Sequence, residues 1–429
     1  MFSHCLKLSY KDTAQQNSYV TIPHAAYSYE QTETAANVDE DIIDSLTGGR
    51  LVGSVTSFEN FAECPLRYYL RYGVDLKERE EFTFSPVNFG VVLHAVIREV
   101  CDEIKKNGES YYLISEEKRR EMVKRSVSAI TDIYQNSILK DSSRNSFMIK
   151  RMEDLADRTI WAMGEQLKCG NFVPFVFEHK FNMEVGDGDR LQLMSGTIDR
   201  VDIYENDTDV YVRIIDYKTG KKDFNIVKTY YGIDIQLMVY MEAAMKLVSK
   251  MRPGKNVIPA GVFYYNISDP IVSATTESAE EIEDKIKGEL RLKGMVNSDK
   301  DIAEKMDNTE GTSLNIPVSR KADGGFDSRR SKVMNTEQFN MLGRFVDVRA
   351  VDTADRIAGG DIRRSPYKDG QFSSCDRCPY GAVCGFSVDL PGCNYRKLKK
   401  FDDEVLWNNI KEGVDENGKK MDAGAEERD

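Results

Sequence analysis

A chain of 429 residues is long enough for about two or three domains. Its composition, 41% hydrophobic and 30% charged, supplies a sizeable core and excludes disorder as the general state. With 59 Lys+Arg against 71 Asp+Glu the net charge is −12, which excludes nucleic-acid binding through bulk positive charge and leaves only local basic patches for that purpose. No run of 18 apolar residues occurs, so no membrane span is expected. The first ten residues lack the continuous apolar stretch of a signal peptide, which makes the cytoplasm the expected location. Eight cysteines are present, and four of them (Cys375, Cys378, Cys384 and Cys393) fall close together. In a reducing compartment such a cluster reads as metal binding rather than as disulfides.

Taken in chain order, Leu6, Leu8 and Tyr10 alternate like a short strand, and residues 30–44 are an acidic, polar linker. Residues 54–72 begin on Ser/Thr capping residues and carry Phe58, Phe61, Leu66, Tyr69 and Leu70 at helical spacing, with Pro65 limiting the regularity of that helix. Residues 87–106 form a clearer helix, with Phe89, Leu93, Val96, Ile97, Val100 and Ile104 in one stripe. Residues 110–169 contain no Pro and only Gly164, and read as an inserted helical subdomain. The period then changes. Residues 175–183, 191–204 and 210–218 are strand-like, 233–251 return to helical spacing before Pro253-Gly254, and 257–267 form another strand. Residues 270–370 are mixed and charged, and 397–429 read as a polar C-terminal tail whose last stretch is disordered. No G-x-x-x-x-G-K-[ST] occurs, so the chain has no phosphate-binding P-loop.

The sharpest signal is Gly196-Thr197-Ile198-Asp199-Arg200 followed by Ile215-Asp216-Tyr217-Lys218-Thr219-Gly220. If Asn206-Asp207-Thr208-Asp209 closes a hairpin, residue 205 pairs with 210 and Asp199 lies opposite Asp216. Directly opposed side chains have Cβ atoms roughly 4.5–5.5 Å apart, so these carboxylates repel unless a cation sits between them. Lys218 shares the face of Asp216. Taken alone, an Asp-x-Lys is more often a solvated ion pair. Here the neighbours Ile198, Val201, Ile203, Ile214 and Ile215 argue for a buried sheet, where unpaired charge is costly. Two carboxylates and a lysine on one face suit phosphodiester hydrolysis: hard oxygen ligands hold Mg²⁺, and the lysine orients or deprotonates the attacking water.

The order helix, three strands, helix, strand, with Asp and then Asp-x-Lys on successive strands, resembles the PD-(D/E)XK nuclease core. This implies an α/β, restriction-endonuclease-like fold, here with a helical insertion over 107–170. Gln236 and Tyr240 match the Gln-x-x-x-Tyr of the RecB-like branch, where they line the nucleic-acid groove. Gly90-x-x-x-His94 matches its metal-ligand histidine. The resemblance thus implies a site of Asp199, Asp216, Lys218, Gln236 and Tyr240, with Mg²⁺ held by His94, Asp199 and Asp216. Glu178 precedes the hairpin as a weaker candidate to assist the metal.

Cys375-x2-Cys378-x5-Cys384 has metal-ligand spacing and needs a fourth partner. Cys393 would complete a local zinc site. The other candidate is Cys64, 311 residues before Cys375. One cysteine before the core and three after it resemble the iron–sulfur nucleases of the RecB-like branch, which implies Cys64, Cys375, Cys378 and Cys384 as ligands of a [4Fe–4S] cluster. Such a clamp would fasten residues 370–396 to the first helix and make 50–396 one nuclease domain.

The whole pattern most closely resembles the C-terminal part of the AddB-type subunit of bacterial ATP-dependent helicase/deoxyribonucleases. The specific stretches are Thr56-Ser57-Phe58-Glu59-Asn60-Phe61-Ala62-Glu63-Cys64-Pro65 and Cys375-Asp376-Arg377-Cys378-Pro379-Tyr380. Residues 1–49 are then expected to be a remnant of the preceding helicase-like domain and a linker. The implied function is Mg²⁺-dependent exonuclease action on single-stranded DNA during recombinational double-strand break repair, in a heterodimer with a helicase-nuclease partner. Lys218, Lys221, Lys222 and Lys228, and further on Arg329-Arg330-Ser331-Lys332, are the basic groups available to track DNA. The competing readings are a stand-alone iron–sulfur exonuclease of an adaptive-immunity module and a catalytically silent scaffold that docks a helicase.

Overall fold

A computed structural model describes residues 37–39, 42, 52–77, 86–133, 143–186, 192–273, 277–390 and 393–426. The strand expected at 6–10 lies outside the described residues. The central sheet is built from β1 (Val52–Ser54), β2 (Val173–Val185), β3 (Gln192–Glu205), β4 (Asp209–Lys218), β5 (Asn256–Asn266), β6 (Lys293–Asn297) and β7 (Val333–Met334). The hairpin register is the expected one, with Glu205 opposite Val210 and Arg200 opposite Ile215. Along one edge of β3, β2 pairs antiparallel from Gln192 to Ile203. The other edge is shared end to end: β1 pairs with Leu193–Ser195 and β4 with Arg200–Glu205. Asp199 sits at the opening between them.

Helices cover both faces, as a sheet holding parallel pairs requires. On one side lie α1 (Val55–Glu63), α5 (Gln236–Met251), α7 (Thr336–Ala358) and α8 (Asp403–Glu426). On the other lie α2 (Pro86–Lys106), α3 (Glu116–Ile133) and α4 (Ser143–Lys168). A further helix, α6 (Ala279–Glu289), opens on a Ser278–Glu281 capping box. Strand alternation divides the core: Ile214, Val262 and Tyr264 face the first set of helices, and Ile215, Phe263 and Tyr265 the second. The helices of 110–169 therefore share one core with α2 and the sheet. Among the described residues, no helix is long and apolar enough to cross a membrane.

Two local features follow directly from sequence. Proline disfavours helical backbone in the residue before it. Cys64 accordingly leaves α1 in an extended conformation (φ −167°, ψ 117°) before the helical turn Pro65–Tyr68. The second feature corrects the reading of 397–429 as a polar tail. Residues 403–426 form α8, with Leu406 and Ile410 buried in the main core and Trp407 and Val414 packed beside them. Four apolar residues on one face suffice to dock a helix, although the segment's mean composition is polar.

A half-buried acid pair joins α5 to α7. Burial first, then the hydrogen bond and charge of Glu242, push the Asp347 carboxyl up to about 8, against the pull of Lys246. The folded state thus keeps a proton that the unfolded chain releases near pH 4, so stability falls as pH rises from there towards 8. Asp347→Asn removes this loss. Its gain in thermal stability over the parent is expected to grow between pH 5 and 8, reaching on the order of 1 kcal/mol. A constant difference across that range in thermal melts would contradict the assignment.

Candidate active site

The site forms where β3 and β4 leave the hairpin ladder and α2 passes over them. The His94 Nδ1 atom lies 3.3 Å from Asp199 Oδ1 and 3.5 Å from Glu178 Oε1. One donor atom from each of the three falls within 4.8 Å of the others, the spacing of groups that surround one cation. Burial opposes charge on His94, but the hydrogen bonds and charges of Asp199 and Glu178 prevail and push its pKa up to about 10. A proton here occupies a place that a divalent cation suits better, because two carboxylates and an imidazole are a ligand set. The other Asp199 oxygen accepts a hydrogen bond from the Tyr217 backbone N–H at 2.6 Å, which fixes the carboxylate's orientation.

Glu178 reaches the trio through a φ of +47°, a conformation that side-chain-bearing residues seldom adopt. Strain of this kind concentrates at functional sites. Sequence patterning cannot show it, because Glu178 falls within an ordinary strand pattern and only its backbone turns it towards His94.

Asp216 lies beside this trio, one register step beyond the Arg200–Ile215 pair, and is 2% exposed. Burial and the charge of Asp199 push its pKa up to about 7, while Lys218 pulls it down. Lys218 Nζ is 2.6 Å from Asp216 Oδ2, yet that oxygen has no well-directed hydrogen-bond donor. A buried carboxylate whose one near partner is an ammonium group, next to three ready ligands, fits a site built to receive a cation. Lys218 Nζ also donates to Gln236 Oε1 at 2.9 Å, and Gln236 Nε2 donates to Tyr240 Oη at 2.9 Å. Gln236 and Tyr240 thus stand one turn apart beside the lysine. Gly196 leaves room for the Tyr240 and Phe181 rings: a Cβ there would lie 2.6 Å from the Phe181 ring and 3.0 Å from the Tyr240 ring.

The structure adds Asp234, Tyr264 and Glu59, polar residues that pattern reasoning did not single out for the site. Lys222 Nζ pairs with Asp234 Oδ1 at 3.0 Å and lies over the Tyr264 ring, and Tyr264 donates to the same oxygen at 2.7 Å. Of the basic residues near the site, Lys222 is thereby held in place, whereas Lys228 pairs with Asp369. Glu59, on α1, accepts hydrogen bonds from the backbone N–H groups of Ile235 and Gln236.

The cysteines of the two chain ends meet about 300 residues apart in sequence. Cys64 is buried, and Cys375, Cys378 and Cys384 are half-buried. Burial, then the charge of neighbouring thiols, raises the pKa of Cys64, Cys375 and Cys384; Cys378 acts on all three. Against burial, the backbone N–H groups of Arg67, Ser365 and Leu66 pull the Cys64 thiol's pKa down, and that of Phe386 does the same at Cys384. Cys393 is not among the principal groups acting on these thiols. Protein contacts hold the same junction: Ser374 Oγ donates to Glu63 O, Arg396 to Ala62 O, and Tyr380 Oη to Leu76 O.

A mixed sheet with helices on both faces and Asp, then Asp-x-Lys, on adjoining strands defines a nuclease of one class. The PD-(D/E)XK nuclease superfamily model matches residues 53–385, and the chain belongs to that family. It is also similar to proteins named as the B subunits of ATP-dependent helicase/deoxyribonucleases. The relative from Lachnoclostridium phytofermentans is 34% identical over 411 residues, covering 93% of this chain and 35% of the relative. Those from Caldanaerobacter subterraneus subsp. tengcongensis and Clostridium acetobutylicum are each 34% identical, over 90% and 92% of this chain and 34% of their own length. The chain thus spans about a third of the relatives it matches.

Proposed function

We propose that the chain is the nuclease part of a helicase-nuclease subunit, cutting single-stranded DNA in the cytoplasm with Mg²⁺ at His94, Glu178, Asp199 and Asp216. The observation that carries this reading is the continuous arrangement from that ligand group through Asp216 to Lys218, Gln236 and Tyr240. A divalent cation held there supplies Lewis-acid chemistry, lowering the pKa of an attacking water and offsetting charge on the phosphate. Lys218, held between Asp216 and Gln236, orients that water and meets the negative charge developing on phosphate oxygens. Tyr240 and Gln236 flank the lysine where a nucleotide backbone would pass. Lys222, fixed by Asp234, offers a second positive charge along that path.

We assign Cys64, Cys375, Cys378 and Cys384 to a [4Fe–4S] cluster of structural role. One cysteine before the nuclease core and three after it, the arrangement that resembles the iron–sulfur nucleases of the RecB-like branch, supports this over zinc. The relatives' names and the similarity running through residues 270–370 favour a subunit, with a helicase-nuclease partner in recombinational repair, over a stand-alone exonuclease. A complete ligand group and lysine argue against a silent scaffold.

The test is hydrolysis of labelled single-stranded DNA by the purified 429-residue chain, with and without Mg²⁺. Cleavage that requires Mg²⁺, stops on chelation and returns on resupply is the expected result. DNA bound but never cut across divalent metals would favour the scaffold.

A further inference from the structure

The helix α5 begins without a cap of its own. Ile235 occupies the N-cap position and offers no side-chain acceptor. The first N–H groups of a helix need partners, and here they are buried. Glu59 supplies one from a different element: its Oε1 accepts from Ile235 N at 2.9 Å and from Gln236 N at 3.0 Å. The side chain is 9% exposed; burial pushes its pKa up to about 7, against the pull of Lys222 and the Gln236 N–H, and its oxygen accepts from the two N–H groups whichever charge it carries. Gln236, the second of its donors, is the residue whose side chain receives Lys218. Glu59 stands five residues before Cys64 on the helix that the cysteine segment fastens.

We infer that Glu59 is a positioning residue of the nuclease centre: from the helix that ends beside Cys64, its carboxylate caps the start of α5, fixes Gln236 and so places the Lys218 ammonium. Two consecutive hydrogen-bonded links, Glu59 to the Gln236 N–H and Gln236 to Lys218, therefore run from the helix that ends at the cysteine junction to the lysine. Glu59 itself touches no substrate. Its consequence for cleavage rests on the nuclease reading above, whereas its hold on Lys218 does not.

The decisive measurement is the NMR signal of the lysine side-chain Cε of Lys218 in the full chain, assigned by its loss in Lys218→Arg. Glu59→Ala is expected to shift that signal, whereas Glu59→Gln, which keeps an acceptor for both N–H groups, leaves it near its original place. In DNA cleavage, Glu59→Ala should lower kcat on the order of tenfold with KM within about twofold, and Glu59→Gln should recover most of that loss. Iron content should stay at the parent value, which separates the effect from damage to the cysteine junction. Should the alanine variant not fold, Glu59→Asp, one methylene shorter, is expected to show the same shift and a smaller kcat loss. An unmoved Lys218 signal in Glu59→Ala or Glu59→Asp overturns the inference, as does a glutamine variant as impaired as alanine. If the parent chain does not cut DNA at all, the nuclease reading fails and the Lys218 signal still decides the role of Glu59.

Discussion

Asp216→Ala and Lys218→Ala are each expected to lower Mg²⁺-dependent DNA cleavage on the order of 10³-fold, with single-stranded DNA binding retained. Both residues act on the bond-breaking step, because Lys218 is held at 2.6 Å from Asp216 and donates to Gln236 instead of spanning the surface. Binding to the DNA backbone spreads over several basic residues and survives the loss of one. The two variants should differ in stability. Asp216 is a buried carboxylate facing the charge of Asp199, so its removal relieves repulsion, and the metal-free Asp216→Ala protein should melt higher than its parent. Adding Mg²⁺ should raise the parent's melting temperature, through binding to the folded state alone, and do so less in the variant. Full cleavage in either variant, measured beside DNA binding on the same preparation, would falsify the site.

Cys64→Ala should remove the visible absorbance of the purified protein, its iron and much of its thermal stability together. Thiolates are the strong attachment of an iron–sulfur cluster, so losing one releases the group. A cross-link that closes a loop of 311 residues withdraws on the order of 5 kcal/mol of unfolded-state entropy. The hydrogen bonds from Ser374, Arg396 and Tyr380 keep part of the junction, so the fold should weaken rather than vanish. Cys393→Ala should change neither colour nor iron. The opposite pattern, with Cys393 essential and Cys64 dispensable, would indicate a local four-cysteine site and favour zinc.

The hairpin was legible because strand alternation and loop length together set its register, and a one-residue slip would have moved Asp199 and Asp216 to opposite faces. Gln236 and Tyr240 were legible through their resemblance to the Gln-x-x-x-Tyr of the RecB-like branch; their spacing puts them on one side of α5 but would not by itself have singled them out. Glu178 was faint, since a single left-handed residue inside a strand leaves no periodic trace. Glu59 was invisible in role: its partners are backbone N–H groups 176 and 177 residues away. The α8 helix was misread because its packing depends on Leu406 and Ile410, while composition averages them with their polar neighbours.

The junction of α1 with residues 374–396 also has a consequence in time. At roughly 5–20 residues per second, a ribosome releases Glu63 about 15–60 s before Ser374, its hydrogen-bond partner 311 residues on. Phe61, 1% exposed in the finished protein, waits nearly as long for Ile357 and Arg356 to cover it. The Phe61 face of the nascent helix is therefore sticky while most of the protein is being made, although Glu59 can reach Ile235 much earlier, and its covering is late because contacts of such long range are slow to form. Pulse-labelled chains arrested before residue 357 should engage chaperones through this helix, and those arrested beyond 396 should not.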